Sequence, residues 1–245
     1  MTKTLTGFNH LTQQLNQLLS QDYIAFSSTE NPVIQILNKA SFTQIAYVIQ
    51  QYSIFPKELV IFTELARQKA LASEWKDVAN ELTENIAEEM GSTTQGISHY
   101  TLLAEGLEEG LDVPVKNTMP SIATSKLLRN IQSVFEQQPT YVMGATYAIE
   151  ATSIPELSLI VQLLEWLLEG AMPNNLQYFF SMHLNEWELE HEAGLRTSLS
   201  TYIQPDQFGE FAAGFRAMID AMETWWQELA QEAILSELVV STAIA

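Results

Sequence analysis

Apolar residues recur at three- and four-residue intervals along nearly the whole chain, and no stretch alternates them steadily with polar ones. That periodicity points to packed helices, because a half-buried strand needs a period of two. Phe8, Leu11, Leu15, Leu18 and Leu19 form one stripe, and Ile45, Val48 and Ile49 begin another that Pro56 is expected to close. Further helical stretches read as 60–71, 73–90, 97–107, 121–137, 140–152, 155–168, 174–201 and 205–235. Pro139, Pro155, Pro173 and Pro205 stand at or just before expected helix starts, where a missing N–H costs nothing. Connections are short, as between antiparallel neighbours in a bundle. The reading is all-α: a single domain over residues 1–245, a bundle of seven to nine helices, with 239–245 as a frayed tail.

Composition narrows the function classes. Of 245 residues, 47% are apolar and 17% charged, enough to bury a core and too few charges for a disordered chain. The chain has no cysteine, which excludes a disulfide framework, a zinc–thiolate site, an iron–sulfur cluster and a thiol nucleophile. Thirty acidic residues against eleven basic ones give a net charge of −19, which repels phosphate backbones and anionic lipid. Neither nucleic acid nor membrane is therefore an expected partner. The first ten residues lack the apolar run of a signal peptide. The apolar stretch Leu157–Leu168 carries Gln162 and Glu165 and falls short of the ~20 residues a bilayer requires. A cytoplasmic location is the expectation.

Function must then come from polar residues that do not belong on buried helix faces. The chain has four histidines, and two lie in Phe179-Phe-Ser-Met-His183-Leu-Asn-Glu-Trp-Glu188-Leu-Glu-His191. On an ideal helix His183 and His191 are about 80° apart, but His183 and Glu188 are about 140° apart. One wide i→i+5 turn between them would bring Glu188 onto the same face, and such π-bulges gather at functional sites. Without it, Glu186 or Glu190 competes as the carboxylate. A second patch runs Asn85-Ile-Ala-Glu88-Glu89-Met-Gly91, with His99 opening the next helical stretch. A helix broken at Gly91 lets Glu89 and His99 converge, with Glu88 as the alternative to Glu89. Glu150 is a lone carboxylate among small and apolar neighbours, so if buried it must be paired, metal-bound or protonated.

Any one of thirty acids is by default a solvated surface residue, and a lone histidine is more often a satisfied core or surface group than a ligand. His10, with no carboxylate at useful spacing, takes that reading. Glu89, His99, Glu150, His183, Glu188 and His191 together offer three imidazoles and three carboxylates. Set against two divalent ions, three carboxylates leave a local charge of +1, and inward Glu/His sets on facing helices are a known way for bundles to hold two metals.

These three segments in order resemble the heme-oxygenase-like di-metal oxidases, a CADD-like branch (after a Chlamydia protein associating with death domains) of the TenA/PqqC-like group. Asn85 to Leu102 is similar to the family's N-x-x-[DE]-E-x-G … H-x-x-L segment, Glu150 to its single mid-helix glutamate, and His183…Glu188…His191 to its H-x-x-x-D-x-x-H element. The last differs by one extra residue and by Glu in place of Asp. The TenA branch that works through a cysteine nucleophile has no counterpart in a chain without cysteine. The resemblance implies a heme-oxygenase-like helical bundle holding two non-heme iron ions, or iron plus manganese, and no heme. It implies an O₂-dependent oxidation of a small organic substrate of the amine, amino acid or fatty acid class. It also allows a homodimer and, in some members, consumption of a tyrosine, for which Tyr23, Tyr141 and Tyr147 are the candidates. The competing readings are a helical interaction protein without metal chemistry, a cofactor-free PqqC-like pocket enzyme gripping its substrate with basic residues, and heme binding through His10.

Overall fold

The computed structural model describes the backbone of residues 2–26 and 30–243, and the side chains of 7–26, 30–185 and 188–236. Among the described residues every regular element is helical: α1 (Thr2–Asp22), α2 (Pro32–Leu37), α3 (Phe42–Tyr52), α4 (Ile54–Ala72), α5 (Lys76–Glu89), α6 (His99–Leu111), α7 (Ile122–Phe135), α8 (Pro139–Leu168), α9 (Asn174–Met182), α10 (Glu188–Leu199) and α11 (Phe208–Ala243). A π turn, His183–Trp187, joins α9 to α10 without a break, and a 3₁₀ turn, Pro205–Gln207, leads into α11. With α9, the π turn and α10 taken as one rod and the six-residue α2 set aside, the described chain is a bundle of nine long helices. The backbone is helical to Ala243, whereas the expected frayed tail 239–245 falls on residues whose side chains are outside the described set.

Local sequence sets the ends. Ser41, Ser98 and Ser121 cap α3, α6 and α7 through their hydroxyls, and Gln44 completes a capping box with Ser41. Gly91, at φ +100°, closes α5 in a Schellman arrangement: its N–H bonds to Glu88 O (2.8 Å) and the Ser92 N–H to Ala87 O (3.0 Å). A Cβ at Gly91 would lie 2.7 Å from the Ile97 backbone, so only glycine permits the short return that places α6 beside the end of α5.

Two expectations about proline are corrected. Pro155 does not begin a helix but lies inside α8, a continuous 30-residue helix where 140–152 and 155–168 were expected to be separate. A lone interior proline forfeits one backbone bond, and burial of most of the helix offsets that loss. Pro56 does not close a helix either: α3 ends at Tyr52, and Pro56 sits in the first turn of α4, where its ring is tolerated.

The core is built around α8, which packs most extensively on α11 and also on α10, α4 and α3. The α8–α11 crossing is set by Gly144 and Gly214. A Cβ on Gly144 would meet Phe211 O at 2.0 Å, and one on Gly214 would meet Tyr141 O at 1.9 Å, so the two backbones touch. By length and composition α8 could cross a membrane. In the fold it lies against α3, α4, α6, α7, α10 and α11 and buries Glu150 and Glu156 in the interior.

Candidate metal centre

Four stretches of chain deliver carboxylates and imidazoles to one region of the interior. The last turn of α5 brings Glu88 and Glu89, and the first residue of α6 brings His99. The middle of α8 brings Glu150, and the α9–π–α10 rod brings His183, Glu188 and His191. The π turn spans His183–Trp187, the wide turn that the His183–Glu188 spacing calls for. It inserts the extra residue without breaking the rod, so His183 and Glu188 both turn inward, 3% and 8% exposed.

The six side chains sort into two sets. Glu89, His99 and His183 bring one donor atom each to within 4.8 Å of one another, and so do Glu150, Glu188 and His191. The first set is two imidazoles and one carboxylate, the second two carboxylates and one imidazole. In the first, Glu89 Oε1 is 3.0 Å from His99 Nδ1 and 3.8 Å from His183 Nε2. The His99 and His183 rings meet edge to face, with centroids 4.8 Å apart. In the second, His191 Nδ1 is 4.0 Å from Glu150 Oε2.

Neighbouring groups aim these donors. His183 donates from Nδ1 to Phe179 O (2.7 Å), which turns Nε2 toward Glu89. Glu88 lies 2.7 Å from His191 Nε2, which leaves Nδ1 facing Glu150. The open choice between Glu88 and Glu89 thus resolves into two roles: Glu89 points into the first set, and Glu88 holds the outer edge of a histidine in the second. Asn85 donates to Glu150 Oε1 at 3.0 Å. Of the competitors to Glu188, Glu190 is exposed and the side chain of Glu186 is outside the described residues. His10 is exposed on α1.

The electrostatics are those of a site with excess acid. Burial pushes Glu150 up to about 8; His191 pulls it down, and the charges of Glu188 and Glu89 push it further up. Glu188 is likewise raised, chiefly by burial. Burial would raise Glu89 too, but the facing imidazoles of His183 and His99 outweigh it and hold the carboxyl down at about 2. Burial alone would lower His183 and His191, yet facing carboxylates, Glu89 and Glu188 for one and Glu150 and Glu88 for the other, hold both above the usual histidine value.

Beside the donors lies a cavity of about 70 Å³ whose wall includes all six, together with Tyr52, Leu59, Leu127, Leu157, Met222 and Trp225. One more carboxylate reaches this wall, and it was missed in the sequence. Glu156 is 4% exposed, accepts a short hydrogen bond from the Tyr23 hydroxyl, and accepts from Trp226 Nε1 at 2.9 Å. Its signal was legible by the argument applied to Glu150: an acid in the apolar run Ile154-Pro155-Glu156-Leu157. Of the tyrosine candidates, Tyr23 is thus bound to Glu156, and buried Tyr147 donates to Glu192.

Fold and site together define a class: an all-helical bundle with two adjacent imidazole–carboxylate sets in its core. Residues 9–232 match the family model DUF3865, a domain of unknown function with a solved structure, and the chain belongs to that family. It is similar to a CADD-like protein of unknown function from Nostoc punctiforme PCC 73102, seen in two crystal structures. To the 2.00 Å structure it is 76% identical, with a TM-score of 0.91, covering 94% of this chain and 99% of that one. To the 1.35 Å structure it is 74% identical, with a TM-score of 0.90, covering 95% and 98%. The CADD-like character expected from the motifs therefore holds. No curated protein matches the chain.

Proposed function

We propose that the protein is an O₂-dependent non-heme di-metal oxidase or oxygenase acting on a small organic substrate, with two iron ions, or iron and manganese, as its resident metals. The observation that carries this reading is the pairing of the sets: a buried two-histidine, one-carboxylate group beside a one-histidine, two-carboxylate group in which both carboxylates are buried and His191 is half-buried. Hard oxygen donors mixed with imidazole suit iron and manganese, and two histidines with one carboxylate are the donor set of iron oxygenases. The charge also fits. Burial, opposed by His191 and reinforced by the charges of Glu188 and Glu89, pushes Glu150 up to about 8. Two divalent ions against three carboxylates leave +1, which removes the reason for crowding those carboxylates to be costly.

Glu89, His99 and His183 would hold one ion and Glu150, Glu188 and His191 the other; bound there, the metals supply the redox chemistry that O₂ requires. The chain's own contribution is orientation and exclusion. Phe179 O fixes the His183 tautomer, Glu88 fixes His191, and Asn85 steadies Glu150, so the donors stand ready without rearrangement. Three protein donors per ion leave positions unfilled by the protein. The apolar wall from Leu59 to Trp225 keeps bulk water from the reacting region and gives a hydrocarbon or aromatic substrate body its contacts.

The competing readings find less support. An interaction protein without metals would have Glu150 at the surface or against Lys or Arg, and Glu150 is instead 8% exposed among imidazoles and other carboxylates. A PqqC-like pocket would grip its substrate with Lys or Arg, and neither lines this cavity among the described residues. The test is metal analysis of protein loaded anaerobically with Fe(II), followed by O₂ uptake. Two metal ions per chain, lost in both His183→Ala and His191→Ala, is the expected outcome; unchanged metal in both variants would remove the proposal.

A further inference from the structure

We infer that the cavity takes a substrate bearing a protonated amine, and that Glu156 is the residue that reads it. The inference rests on the reading of this cavity as the substrate site and goes on to name the substrate's chemistry. Glu156 stands on the cavity wall, not in either donor set. It follows Glu150 by six residues on α8, about 9 Å along the axis at 1.5 Å per residue. A molecule with its reactive carbon or nitrogen at the donor sets and a charged end at Glu156 would therefore span the cavity.

The partners of Glu156 hold it in place without satisfying it. A carboxylate has about four acceptor sites. Tyr23 donates to Oε1, and Trp226 Nε1 is shared between Oε1 (2.9 Å) and Oε2 (3.0 Å). Two neutral donors thus leave acceptor capacity on Oε2, and they fix the group without neutralising it. Burial raises the carboxyl to about 7, less than it otherwise would because both donors favour the ionised form. At neutral pH it is accordingly poised, and an adjacent ammonium draws it to the charged state.

The surroundings select for a cation. Among the described residues no Lys or Arg lines the cavity, and Lys57 stands exposed outside it, 6.0 Å above the Tyr100 ring. An anionic headgroup at this end would be buried against Glu156 with nothing to neutralise either charge. Tyr52 and Trp225, stacked on each other at 6.3 Å, give this part of the wall aromatic character, which suits an ammonium better than an anion. The Tyr52 hydroxyl is pushed upward chiefly by burial, and then by the charges of both Glu156 and Glu188. It thus lies within electrostatic reach of both ends of the proposed binding track. The net charge of −19 draws cations toward the molecule as a whole.

The test is calorimetric titration of the full chain, loaded with Mn(II) at neutral pH and physiological salt, with hexylammonium, 1-hexanol and hexanoate. Wild type should bind hexylammonium at least tenfold more tightly than either of the others. Glu156→Gln keeps shape and polarity but not charge, and should lose at least tenfold for hexylammonium while hexanol changes by less than twofold. Equal or tighter binding of hexanol or hexanoate to wild type overturns the inference, as does no hexylammonium binding, or an unchanged hexylammonium affinity in the variant. Should the variant not fold, the wild-type order alone decides. Metal analysis of the same samples separates the two proposals. Absent metal with the amine preference intact defeats the di-metal reading alone, and two bound metals with no amine preference defeat this one alone.

Discussion

Glu150 and Glu156 share one helix and nearly the same burial, 8% and 4% exposed, yet they keep opposite company. Glu150 faces His191, Glu188 and Glu89, all ionisable. Glu156 faces a phenol and an indole, both neutral donors. Burial raises both carboxyls, to about 8 and about 7. The lesson is that burial depth does not distinguish a metal ligand from a carboxyl with another task. What distinguishes them is the company: Glu150 stands among imidazoles and further carboxylates that can share a metal ion. Around Glu156 two oriented neutral dipoles fix the carboxyl without neutralising it and offer no second metal donor.

That contrast can be broken by substitution. The largest effect is expected in metal content: Glu150→Ala and His191→Ala should abolish loading of the second set, whereas Glu156→Gln should load like wild type. Elemental analysis of the three purified variants decides it, and a metal-depleted Glu156→Gln protein would erase the distinction. Next is stability against pH. A carboxyl whose folded value is raised from about 4.5 to about 7 binds more protons folded than unfolded over that window, so its contribution is intact below about 4.5 and is lost as pH rises to about 7. Replacing Glu156 by Gln removes that loss. Urea unfolding should show the variant gaining on wild type by at most roughly 3 kcal/mol between pH 4.5 and 7, at 1.36 kcal/mol per unit, with no further gain above it. A flat difference across that range would contradict the assignment.

Smaller effects sharpen the comparison. Glu88→Gln leaves every donor atom of the two sets in place but weakens the hold on His191, so affinity for the second metal should fall by about 10–100-fold while the first is nearly unaffected. Stepwise metal titration reads the two sites separately. Tyr23→Phe removes one neutral donor from Glu156 and should cost about 1–2 kcal/mol in thermal or urea unfolding without altering metal content. Metal loss in Tyr23→Phe would show that the two carboxylates are coupled.

Much of this was legible in the chain. The 3.6-residue apolar period dictates helices, and the His183–Glu188 interval, one residue too long for a regular face, forecast the π turn that spans His183–Trp187. Covalent connectivity makes such spacing arguments work, because residues on one helix have no freedom to choose their relative angle. Pro155 read as a helix start by the same local logic, and there the logic failed: local preference was outweighed by the packing of α8 against its neighbours.

By itself, then, the sequence determined the all-helical class, the absence of thiol chemistry, and a short set of candidate donors in which Glu88 still competed with Glu89, and Glu186 and Glu190 with Glu188. Only the tertiary structure decided that the six donors divide into two sets, that Glu88 steadies a histidine instead of joining them, and that Glu156 stands at the far wall of the same cavity with Tyr23 and Trp226. The physical reason is distance along the chain. Glu88 meets His191 across 103 residues and Glu156 meets Tyr23 across 133. No periodicity reports a contact of that kind; it exists only once α5 lies beside α10, and the start of the chain beside α8.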